Sequence, residues 1–114
     1  MSLDLTGLAP SPAEIRNFVA DRSPLAYEAA VDRLLGDPQY GQRWARHWMD
    51  VWRYSDVHTY TTTIIQSQPH IWRWRDWIVE SLNADRPYDR MIEEMLAGDE
   101  LAPEDPGTIR ATGY

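Results

Sequence analysis

The chain has 114 residues, 43% of them apolar and 25% charged, which is the size and make-up of one globular domain or part of one. Its net charge of −7 argues against a nucleic-acid partner, because binding a duplex needs a basic face that displaces counterions. With no cysteine it holds no disulfide, thiolate metal site or covalent haem link of its own, and no apolar run of about 18 residues is present to span a membrane.

Leu3–Leu8 alternates apolar and polar residues, so residues 1–9 read as an extended lead-in segment. Both ends of the chain read as cuts in a longer one. A helix start follows at Ser11-Pro12-Ala13-Glu14: serine at the N-cap, proline at the first helical position, and a glutamate that closes a capping box. Ile15, Phe18 and Val19 continue at helical spacing, and the helix should stop near Asp21. Ser23-Pro24 repeats the signal ahead of an amphipathic stripe of Leu25, Tyr27, Ala30, Val31, Leu34 and Leu35, with Gly36 as the stop. Asp37-Pro38 opens a third helix by the same device.

That third helix, Tyr40–Tyr54, carries Tyr40, Trp44, Trp48 and Trp52 four residues apart and nearly in line. Gly41 and Ala45 beside them are small enough to admit another helix. Residues 55–69, rich in threonine and isoleucine, favour an extended or irregular path and make one long loop. The fourth helix, His70–Asn83, has Ile71, Trp74, Trp77, Ile78 and Leu82 as its driving apolar positions and should be the most buried. After a turn at Asn83–Pro87, Tyr88, Met91, Ile92, Met95 and Leu96 define a last helix stopped by Gly98, and residues 102–114 read as a loop or linker tail. The expected fold is all-α: an irregular bundle of about five helices forming a single module, 1–114, that is part of a larger domain.

Four groups of residues can carry chemistry. Arg53, Asp56, Arg73, Arg75 and Asp76 flank the loop. Together with Trp52 and Trp72, the tryptophans nearest to it, they form a candidate ligand site, because guanidinium groups hold anions and flat rings cover sugar faces. The plain alternative is that they are arginine–aspartate bridges tying two helices together. His47, Asp50, His58 and His70 are weak metal candidates; imidazole and carboxylate bind zinc or iron, but their spacing matches no metal motif. The remaining tryptophans, Trp44, Trp48, Trp74 and Trp77, fit core packing. Glu93, Glu94, Asp99 and Glu100 read as a solvated face, and Asp85 and Asp89 as turn and cap residues. There is no phosphate loop, nucleophile elbow or HExxH, so no catalytic residue is singled out.

The stretches LDLTGLAPSPAEI, YEAAVDRLLGDPQYGQRWARHWMDVWRYSD, IWRWRDWIVESLNADRPYDR and MLAGDEL, ending in IRATGY, resemble the planctomycete cytochrome-associated domain family, a family of unknown function found in large multidomain proteins. The resemblance implies a secreted or periplasmic protein, a haem-binding domain upstream, a further domain downstream, and a family domain that runs on past this chain. It supplies no catalytic residues. Where relatives commonly carry Gly-Tyr followed by acids, this chain has Thr59-Tyr60-Thr61-Thr62-Thr63, so an acidic-loop function is not carried over.

These observations lead to an expected interaction or scaffold module of an extracytoplasmic protein, with no cofactor of its own. It would dock on neighbouring domains through the Trp-bearing edge around residues 52–76 and through the acidic tail, since residues 78–114 hold nine acids against three arginines. The alternatives are a share in a glycan or anionic-ligand site, and a redox-partner module serving a haem next door.

Overall fold

The computed structural model describes residues 1–59, 65–67 and 70–113, with backbone alone for 57–59 and 65–67. The fold is all-α. In chain order the helices are α1 (Ser2–Leu5), α2 (Pro12–Ala20), α3 (Ala26–Leu35), α4 (Gln39–Val51), α5 (Trp72–Asn83), α6 (Tyr88–Leu101) and α7 (Pro106–Ile109), followed by a 3-10 turn at Arg110–Thr112. Within the long connection from α4 to α5, β1 (Val57–Thr59) pairs antiparallel with β2 (Ile65–Ser67), His58 opposite Gln66.

α2 begins as its sequence requires. The Ser11 hydroxyl accepts from the Glu14 amide and the Glu14 carboxylate accepts from the Ser11 amide, at 3.2 and 2.8 Å. Those bonds also hold the Glu14 carboxyl below its ordinary range. The lead-in segment is helical rather than extended. The terminal ammonium binds Asp4 at 2.8 Å, the Leu5 amide reaches the Met1 carbonyl, and Thr6 folds its hydroxyl back onto the Ser2 carbonyl. Gly7, at φ +75°, then turns the chain.

The core is built on α5. Trp74, Trp77 and Ile78 are all at or below 2% exposure, and Ala45 of α4, Met91 and Met95 of α6 and Ala111 of the tail close around them. α4 and α5 approach closely at Gly41. Its amide donates to the Asn83 side chain at 2.8 Å, and Asn83 donates in turn to the Pro38 carbonyl at 3.2 Å. A Cβ at Gly41 would stand 2.6 Å from the Val79 carbonyl oxygen, so only glycine allows this spacing.

Both helices of the pair end in the same way. At the end of α4 the Tyr54 amide bonds to the Met49 carbonyl and Arg53 takes φ 56°; at the end of α5 the Arg86 amide bonds to the Ser81 carbonyl and Asp85 takes φ 48°. These are Schellman endings with a non-glycine residue in the left-handed position.

The tail differs most from its sequence reading. Residues 102–113 are not a linker. The Asp105 carboxylate accepts from the Gly107 and Thr108 amides and from the Thr108 hydroxyl, which starts α7 and holds its own pKa down. Ala111 is fully buried, and Gly98 lies flat against the tail, where a Cβ would come 2.8 Å from the Thr108 carbonyl oxygen. Gly98 therefore does not stop α6 but makes room for α7. The helix continues to Leu101 past one distorted residue, Ala97 (φ −144°).

The N-terminal half is open. α2 buries none of its residues, and Ile15, Phe18 and Val19 are 45–74% exposed. α3 buries only Leu34, and Arg33 ties it to Glu14 at 2.6 Å. The radius of gyration is 18.3 Å, against about 13 Å for a compact chain of this length.

Candidate functional site

The site forms where the end of α4 faces the start of α5. Tyr54, just past the Schellman turn, points its hydroxyl at Asp56 in a very short hydrogen bond. Arg75 clasps Asp76 through Nε and Nη2, at 2.9 and 2.7 Å to the same carboxylate oxygen. The two pairs act on each other. Burial, then the Asp56 hydrogen bond and the nearby Asp56 charge, push the Tyr54 phenol up to about 12, while Arg75 pulls the other way. The Asp76 bond raises the Arg75 guanidinium, aided by Tyr54 and Asp56. Three of the expected residues, Asp56, Arg75 and Asp76, thus come together around a tyrosine that the sequence reading passed over. A tyrosine two residues before an acid, just past a helix end, was the only available sign.

The other expected residues stand apart from that centre. Arg53 is exposed and its i+3 partner Asp56 is taken by Tyr54. Arg73 likewise does not pair with Asp76; its guanidinium lies over the exposed Trp72 ring, 5.5 Å from the centroid. Trp72 is 47% exposed. Trp52 is half-buried and belongs to a run of rings: Tyr88–Trp48, Trp48–Trp52, Trp52–Trp74 and Trp74–Tyr54, with centroids 5.2, 5.1, 6.4 and 5.8 Å apart. Aromatic pairs at these spacings are favourable in their own right, and this run joins α4, α5 and α6.

The metal candidates do not converge. His47 and Asp50 are both exposed on α4, and the His47 ring leans on Trp44 at 5.5 Å. The side chain of His58 lies outside the described residues. His70 is exposed at the foot of α5 in the left-handed conformation, φ 71°. Among the described residues no three His, Asp or Glu gather as a metal would need.

Glu94, expected on a solvated face, is 4% exposed. Arg86 and Arg90 both bind it, and Arg86 also covers the Trp77 ring at 5.7 Å from its centroid. This is a structural triad under the core.

The Tyr54–Asp56 pair has a measurable consequence. Tyr54 should ionise late in an ultraviolet titration, near pH 12, and Asp56→Asn should bring it part of the way back towards the ordinary 10. A folded-state pKa above the unfolded one means that the native protein holds this proton longer. The pair's contribution to stability is therefore complete below pH 10 and is lost between about pH 10 and 12. If the Asp56→Asn protein titrates no differently from wild type, the pairing is absent in solution.

The fold and the site together define a small all-α module with a tryptophan-rich core and a polar cluster at one edge. All of it, residues 1–114, matches PSCyt2, described as a protein of unknown function (DUF1549), and the chain belongs to that family. The family name bears out the cytochrome-associated resemblance. No curated protein and no solved structure gives a significant match. Among the described residues no helix is long and apolar enough to cross a membrane.

Proposed function

We propose that the chain is a non-catalytic docking module of a larger extracytoplasmic protein, and that neighbouring domains pack on its open N-terminal arm and on the Trp72–Arg73 edge. The observation that carries this reading is the uncovered apolar stripe of α2, with Ile15, Phe18 and Val19 all turned to solvent. The accessible surface is 8364 Å², about 1,900 Å² more than a compact monomer of this mass exposes. That surplus exceeds one partner's share of a standard interface, about 800 Å². A nine-residue helix with nothing buried has little reason to persist alone, so a covering surface accounts for its strong capping and apolar face. The acidic tail is a further docking surface in this reading: Asp99, Glu100 and Glu104 are exposed although Thr108 and Ala111 anchor the segment to the module.

Hydrogen exchange tests this reading. The α2 amides should exchange at least about tenfold more slowly in the complete protein than in this chain alone. Equal rates in the two would refute docking through α2.

A further inference from the structure

A cleft of about 310 Å³ opens between the first turn of α5 and the α7 tail. His70, Arg73 and Arg110 line it, Pro106 and Ile109 form its apolar wall over the buried Trp74, and among the described residues no acid is in the lining. The three basic groups are not equivalent. Arg110 is engaged by Glu80 through both terminal nitrogens, at 3.2 and 2.5 Å, so it forms a fixed wall. Arg73 makes no ion pair with any described residue, and its guanidinium is steadied by the Trp72 ring. Among the described residues it is the arginine of the cleft without a carboxylate partner.

From this arrangement we infer that the cleft is a binding site for a small carboxylate carried on a ring-sized body. Arg73 takes the carboxylate, since a planar guanidinium matches it with paired hydrogen bonds. Pro106 and Ile109, both exposed, take one face of the ring, and the buried Trp74 lies beneath as the floor. The volume is at the lower end of small-molecule sites, which sets the size at a single ring rather than a polymer. A sugar acid and an aromatic acid share this chemistry. The site is separate from the α2 surface, but it shares Arg73 with the Trp72–Arg73 docking edge. In the complete protein a ligand and a neighbouring domain therefore compete for that side chain, and the chain alone reads the site uncovered.

The test is a titration of the folded chain, followed by NMR of the indole and backbone amides, with D-glucuronate and benzoate as carboxylates and D-glucose and benzyl alcohol as their neutral counterparts. Saturable shifts centred on the Arg73 and Ile109 amides are expected with at least one carboxylate, and whichever binds more tightly identifies the body. Arg73→Gln should weaken that binding by about tenfold or more, the loss of a charge-assisted pair. Ile109→Glu, at a wall position 39% exposed, places a competing carboxylate in the cleft and should do the same. The inference is overturned if neither carboxylate saturates, if a neutral counterpart binds as tightly, or if Arg73→Gln binds like wild type.

Discussion

Arg86→Leu is expected to cost about 3 kcal/mol of stability, whereas Glu94→Leu costs about 1 kcal/mol or less, although both remove the same ion pair. The asymmetry follows from burial. The Glu94 side chain is 5% exposed, while those of Arg86 and Arg90 are 34% and 49% exposed. Removing Arg86 strands a carboxylate that water cannot reach, with only the Arg90 Nε at 3.2 Å left to it, and it uncovers the Trp77 ring as well. Removing Glu94 frees two arginines that can turn to solvent, and leucine fills the space with apolar surface. The double variant should therefore be more stable than Arg86→Leu alone. Urea unfolding of the three variants decides the matter, and an Arg86 variant no worse than the Glu94 variant would mean that the carboxylate is hydrated.

Gly41→Ala should destabilise by about 3 kcal/mol, against the usual direction for alanine in a helix. Replacing an interior glycine by alanine ordinarily gains about 1 kcal/mol of helix propensity. Here the new Cβ would lie 2.5 Å from the Asn83 side-chain oxygen and 2.6 Å from the Val79 carbonyl oxygen. Asn83 can swing away only by giving up its bonds to the Gly41 amide and the Pro38 carbonyl. The Val79 oxygen is helix backbone and moves only if α5 moves. Trimming Asn83 to alanine in the Gly41→Ala background should consequently fail to restore stability. Gly36→Ala is the control: its nearest neighbour would be 3.5 Å away, and thermal melts should show it close to wild type.

What the sequence disclosed depended on how local the physics was. The α2 start was legible because serine, proline and glutamate at fixed spacing satisfy the first amides by themselves. The approach of α4 to α5 was legible because Gly41 and Ala45 sit beside a line of tryptophans, and both are buried. The α7 start was equally legible: Asp105-Pro106 repeats the device read at Asp37-Pro38, but the acids around it made the segment resemble a linker. Other features depend on distant partners. Glu94 has the spacing of a surface residue, and only the return of Arg86 over Trp77 makes it an interior one. Gly98 has the spacing of a helix stop, and only the arrival of Thr108 shows that it is a contact. In the candidate site, Arg75 pairs with its neighbour Asp76 rather than across the helix turn, and Arg53 is committed to a left-handed ending that no glycine announces. Sequence spacing proposes i+3 partners, and the geometry of the helix ends assigned others.

The run of rings from Tyr88 to Tyr54 also gives the molecule its own optical reporters. All six tryptophans lie on α4, on α5 or at Trp52 just past α4, and none lies on α2 or α3. Near-ultraviolet circular dichroism, which responds to fixed asymmetric packing of rings, therefore reports the docking of α4, α5 and α6, while far-ultraviolet ellipticity counts every helix. Melting of the N-terminal arm lowers the second signal and leaves the first intact. The two spectral windows thus separate the arm from the core without any added label.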